Sequence, residues 1–295
     1  MNDLLRITNL EKHYTDFNLG GISLNVPAGS VVGFVGSNGA GKTTTIKSIL
    51  GLVNPDGGTI ELFGEDMTHA APSHLAKAKQ RIGVVFDTCS FPEEMTVDTV
   101  GKLMASCYDT WSASAFTTFL RAFELPGNKT VKELSRGMSM KLSLASALAH
   151  NPQLLILDEA TAGLDPLARE QALETLRLFM NHECRGILMS SHITSDLEKI
   201  ADYIVCIDEG RIVFSVEKDV ITDIAGIAHC RAAEFDAIAD SGFFAPGSMH
   251  FERATYGTTV LVPDRLAFGA QFPAITVERA TIDAYLSLML KGEVR

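Results

Sequence analysis

GSNGAGKT, residues 36–43, follows the apolar run 31–35 and opens a stretch with helical spacing. Glycine, four residues, then Gly-Lys-Thr in a strand-to-helix turn is the phosphate-loop motif, and the match is complete. Glycines 36, 39 and 41 let the backbone curl so that successive amides point at phosphate oxygens. The N-terminus of the helix that follows adds a favourable dipole. The candidate contacts to a nucleoside triphosphate are therefore Gly36, Ser37, Asn38, Gly39, Ala40, Gly41, Lys42, Thr43 and Thr44. Lys42 is placed to bridge the terminal phosphates, the Thr43 hydroxyl to ligate Mg2+, and Thr44 to touch an inner phosphate.

Working outward, residues 5–7, 22–26 and 31–35 read as strands, and a helix runs from about 42 to 52 until the breakers at 54–58. A strand at 59–63 follows. Residues 75–150 are mainly helical, interrupted by a buried strand at 82–86, and Asn151-Pro152 ends the segment. Residues 154–157 and 187–189 are short and wholly apolar, as in parallel strands covered on both faces. A hairpin at 204–207 and 211–214 closes this part. Beyond residue 215 the spacing suggests a hairpin around Tyr256-Gly257 and a helix from about 277 to 290. The division expected is 1–215, with a helical subdomain at about 88–150, and a small accessory domain at 216–295. The tail carries no chemical motif.

LLILDE, residues 154–159, puts two carboxylates at the end of a buried strand, where charge is costly unless it serves a cation or a reaction. Asp158 suits the Mg2+ shell. Glu159 is the candidate catalytic residue that orients and polarises the attacking water. His192, after the next buried strand, could hydrogen-bond the terminal phosphate. Strand ends in an open parallel sheet share one crevice, so Asp158, Glu159 and His192 should meet there.

With 295 residues and 46% hydrophobic content, the chain can bury a large core without disulfides. Its five cysteines have no metal-ligand spacing and suit a reducing compartment. No secretory signal is visible, and no apolar run reaches the roughly 18 residues of a membrane span. A net charge of -11 argues against binding nucleic acid nonspecifically, since phosphate backbones demand clustered Lys and Arg. No nucleic acid partner is expected.

Between phosphate loop and carboxylates lies LSRGM, residues 134–138, directly before a helix. It resembles the signature sequence of ATP-binding cassette (ABC) proteins. In that family's order of motifs this chain presents Tyr14, GSNGAGKT, VVFD, LSRGM, LLILDE, AGLD and His192, and six of the seven match in kind. The resemblance covers about residues 3–215. It implies an α/β phosphate-loop NTPase of the ABC ATPase type, with a mixed sheet core and a helical subdomain, extended here by a small α+β C-terminal part. It implies ATP as substrate, Mg2+ as cofactor, and Lys42, Glu159 and His192 as catalytic residues. Tyr14 would stack on the adenine.

The resemblance also implies a head-to-tail sandwich of two chains, a homodimer or heterodimer. In it Ser135, Arg136, Gly137 and Met138 of one chain, with Asp165, would meet ATP held by the other. Ser135 and the amides after it independently read as a helix N-terminus free to bind an anion. Such a chain would be a peripheral ATPase on the cytoplasmic face of the cell membrane, driving a separately encoded integral membrane permease. LSxGM and YDTW, residues 108–111, are similar to a subgroup of bacterial antibiotic or peptide exporters. Two departures stand out. Asp87 occupies the Q-loop position of the usual glutamine and is a further candidate metal neighbour, and Arg136 replaces the usual signature glycine. They motivate the alternative of a regulatory ATP-binding module with weak turnover. A soluble cassette ATPase with a non-transport role is the other alternative.

Overall fold

The computed structural model describes residues 3–255 and 257–295. The chain divides between Ser215 and Val216 into two compact units. The first begins with β1 (Asp3–His13), β2 (Asn18–Pro27) and β3 (Val31–Val35), then α1 (Lys42–Ile49), β4 (Gly57–Leu62), β5 (Glu65–Asp66), α2 (Pro72–Lys79) and β6 (Ile82–Val85). Three helices follow, α3 (Val97–Cys107), α4 (Ala113–Ala122) and α5 (Arg136–Leu148). Then come β7 (Leu154–Asp158), α6 (Pro166–Phe179), β8 (Gly186–Ser190), α7 (Thr194–Ile200), β9 (Tyr203–Asp208) and β10 (Arg211–Glu217).

Among the described residues these strands form two sheets. One has the order β10-β9-β3-β8-β7-β6, with β9, β3, β8, β7 and β6 mutually parallel. Every residue of β3, β7 and β8 is buried, as strands covered on both faces require. The other sheet, β2-β1-β4-β5, is antiparallel. One hydrophobic core spans both: Leu5, Leu10, Leu19, Ile22 and Leu62 from the antiparallel sheet pack in the same cluster as Phe34, Ile156, Leu188 and Ile207. Burial of these side chains is the main source of stability for this unit.

The sheet placed by sequence is longer than its apolar runs, because β1 and β2 carry alternating polar residues that face out while their backbones stay paired. Helix α1 ends sooner than expected, at Ile49, because Gly51 turns the chain at φ +62°.

The second unit contains a π turn at Val220–Ile224, β11 (Gly226–Cys230), α8 (Ala232–Ala239), β12 (His250–Ala254), β13 (Gly257–Val262), α9 (Arg265–Gln271), β14 (Thr276–Arg279), α10 (Ile282–Lys291) and β15 (Glu293–Val294). Its sheet has the order β14-β11-β13-β12-β15 over a core that includes Phe235, Ile238, Phe251, Val260 and Phe268. The expected hairpin is β12–β13, with Ala254 opposite Gly257; Tyr256 lies outside the described residues. The helix expected from residue 277 is corrected. Residues 276–279 form an edge strand on β11, and α10 starts only after Thr281, whose hydroxyl accepts from the Ala284 amide at 3.1 Å. The β-branched pair Thr276-Val277 favours the strand, and the cap sets the helix start.

Candidate functional site: a nucleotide site and a separate pair of helix ends

The phosphate loop connects β3 to α1 with Gly36, Gly39 and Gly41 all at positive φ. At two of them a side chain is also excluded sterically. A methyl group on Gly36 would lie 2.1 Å from the Ile207 carbonyl oxygen, and one on Gly41 would lie 2.6 Å from Leu19 Cδ2. The loop is further tied by Ser37 Oγ donating to Asp208 at 2.9 Å and the Gly210 amide donating to the Ala40 carbonyl at 3.0 Å. Asp208, and Phe17 against Gly41, were not singled out from sequence. Neither belongs to a motif, and only the fold brings them to the loop.

Lys42 is buried, and its ammonium donates to the carbonyls of Gly36 (2.7 Å) and Ser37 (3.1 Å), with no carboxylate partner among the described residues. Thr43 Oγ1 donates to Asp158 Oδ2 at 2.9 Å. The other carboxylate oxygen of Asp158 is buried without a hydrogen bond. A buried cation lacking an anion and a buried carboxylate oxygen lacking a donor are each costly alone. Together they fit a phosphate on one side and a divalent cation on the other.

Glu159 stands one residue past β7 at φ +56°, an uncommon backbone for a side-chain-bearing residue. Its carboxylate accepts from the His192 ring Nδ1 at 2.6 Å and from the His192 amide at 3.3 Å. The pairing of β7 with β8, Asp158 opposite Ser190, carries both residues to one end of the sheet. Asp158, Glu159 and His192 thus meet where the strand order placed them. Asp87 is exposed two residues past Val85, which pairs with Leu157; it makes no hydrogen bond to Asp158 or Thr43 among the described residues. Tyr14, 43% exposed as a residue, sits in the β1–β2 turn with its ring centroid 6.4 Å from that of Phe17. Cys206, in β9, is fully buried, and burial pushes its thiol up to about 12.

The signature residues lie elsewhere. Ser135 caps α5 by accepting from the Met138 amide at 3.2 Å. Asp165 caps α6 by accepting from the Leu167 and Ala168 amides, both at 3.0 Å, which holds its carboxyl below the usual range. None of these hydrogen bonds reaches the phosphate loop of the same chain.

The family model described as ABC transporter matches residues 19–162. A Nod factor export ATP-binding protein I of Burkholderia orbicola (strain AU 1054) is 42% identical over 212 residues, spanning 69% of this chain and 67% of that protein. The chain belongs to the ABC transporter family. This cassette is also 33% identical over 222 residues to the bacitracin transport ATP-binding protein of Bacillus licheniformis, covering 74% of the chain and 71% of the relative. It superposes on the ATP-binding subunit of an ABC transporter with a TM-score of 0.67 at 31% identity, over 74% of this chain and 91% of that one. A dimeric post-hydrolysis cassette bound to ADP and Pi shares the fold, with a TM-score of 0.66 at 21% identity over 72% and 98% of the two chains. The ABC chain is an ATP-binding subunit with ATPase activity. No helix among its described residues is long and apolar enough to cross a membrane.

Proposed function

We propose that two such chains, identical or closely related, clasp ATP between the phosphate loop of one and the α5 N-terminus of the other. ATP hydrolysis then drives a separate integral membrane permease from its cytoplasmic face, in the direction of export. The geometry at the mouth of the phosphate loop carries this reading: Glu159 paired to His192 beside the linked Thr43 and Asp158. Lys42, freed from the Gly36 and Ser37 carbonyls, neutralises the terminal phosphates. Thr43 and Asp158 would hold Mg2+, which supplies charge neutralisation between the phosphates. Glu159 accepts the proton of the attacking water, and His192, donating from Nδ1, fixes the carboxylate and leaves Nε2 for another partner. Tyr14 offers a ring for the adenine.

In this reading Ser135 and the α5 N-terminus of the opposite chain complete the anion site. Support for export comes from the relatives, one named for Nod factor export and one for bacitracin transport. The tests are direct. Glu159→Gln retains ATP binding, loses turnover by at least about 100-fold, and accumulates as an ATP-dependent dimer on size exclusion. Undiminished hydrolysis in that variant removes Glu159 from its role. Lys42→Ala weakens nucleotide binding by calorimetry, and unchanged affinity would count against the loop assignment. Purification from membranes, followed by identification of the integral protein retained, tests the permease.

A further inference from the structure

Arg136 departs from the family's usual signature glycine, and the structure shows what its side chain covers. A methyl group built on Gly163 would lie 2.7 Å from Arg136 Nε, 2.8 Å from Cζ and 3.0 Å from Nη1, so the guanidinium lies directly over that residue. Gly163 holds φ +76° and belongs to the loop that leads through Leu164 to Asp165. Two further contacts join the same elements. A methyl group on Gly137 would lie 3.6 Å from Leu164 Cδ2, and Lys141 Nζ donates to Gln171 Oε1 at 3.0 Å. The α5 N-terminus, capped by Ser135, and the α6 N-terminus, capped by Asp165, are therefore laced together within one chain.

We propose that Arg136 is a positioning residue whose flat guanidinium, lying over side-chain-free Gly163, braces the first turn of α5 against the loop before α6, so that Ser135 and Asp165 reach the second chain as one piece. This rests on the two-chain reading above. A planar group covers a bare peptide well, whereas a Lys ammonium on a flexible stem does not. The brace needs both partners: a long planar cation at 136 and no side chain at 163.

The test is a double-mutant cycle in the full chain carrying Glu159→Gln, with ATP and Mg2+, reading the dimer Kd by analytical ultracentrifugation. Arg136→Ala is expected to raise the Kd about ten-fold, and Arg136→Lys nearly as much. Gly163→Ala is expected to weaken the dimer when Arg136 is present and to do so about three-fold less when it is Ala. Backbone strain at φ +76° is common to both arms and cancels, leaving the contact. ATP affinity of the isolated protomer is expected to stay within about two-fold throughout, since its own phosphate loop is untouched. Multiplicative effects of the two substitutions would overturn the brace, as would full dimer affinity in the Lys variant, which would point to charge alone. Parallel loss of protomer ATP affinity would likewise overturn it. If the Glu159→Gln parent fails to dimerise with ATP, the two-chain reading falls and the brace with it; a dimerising parent with independent effects removes the brace alone.

Discussion

A single added methyl group at residue 36 meets backbone rather than a movable side chain, because the Ile207 carbonyl stands 2.1 Å from its position. Gly36→Ala should therefore cost about 1–3 kcal/mol in urea denaturation and lower ATP affinity in calorimetry, since the loop must shift to admit it. His150 offers a different test. It is fully buried, stacked on Tyr108 with ring centroids 3.9 Å apart, and 3.1 Å from the Ile82 carbonyl through Nε2. Burial pushes its pKa below the ordinary 6.5. The unfolded chain thus takes up this proton before the folded one does. Stability is complete above 6.5 and is lost as pH falls through the folded value. Urea midpoints measured at about pH 7.5 and about pH 5.5 should differ, and His150→Asn should shrink the difference.

At the scale of elements, α6 begins at Pro166 with Asp165 accepting two backbone amides. Asp165→Ala should destabilise the chain by about 1 kcal/mol in chemical denaturation, the usual consequence of losing such a cap. This is also the scale at which sequence and structure are best compared. The apolar runs 154–157 of β7 and 187–189 of β8 were legible because burial on both faces leaves polar residues only at the strand ends, Asp158 and Ser190. The phosphate loop was legible because its glycines answer a local backbone demand. Strand order placed Glu159 and His192, 33 residues apart, at one crevice, but the hydrogen bond between them was not legible, because the sequence assigned His192 to a phosphate. Less could be read where tertiary pairing overrides local pattern. Residues 276–279 became strand because β11 offers an edge, and β11 itself, five residues between a π turn and α8 with no turn residue flanking either end, was missed. The contact of Arg136 with Gly163 was invisible for a related reason: neither residue type announces a partner 27 positions away.

For the molecule as a whole, the shared core means that the antiparallel sheet and the nucleotide sheet of the first unit are not separable. Leu19 of β2 is fully buried and lies against Gly41, 2.6 Å from where a side chain there would begin. Leu19→Ala should cost about 2–5 kcal/mol in thermal or urea unfolding. It should also reduce ATP affinity, because the loop loses its backing, whereas Lys42→Ala should weaken binding with little thermal cost. Saturating ATP should offset part of the stability lost in Leu19→Ala, by about 2.7 kcal/mol at a hundredfold excess over Kd, seen as a raised melting temperature. A genetic screen would see this buttressing as a division among alleles. Lesions at Lys42 would be null at every growth temperature, while those at Leu19, some twenty residues upstream and bearing no recognised signature, would be conditional: permissive in the cold, silent in the heat, and rescued by a richer supply of nucleotide.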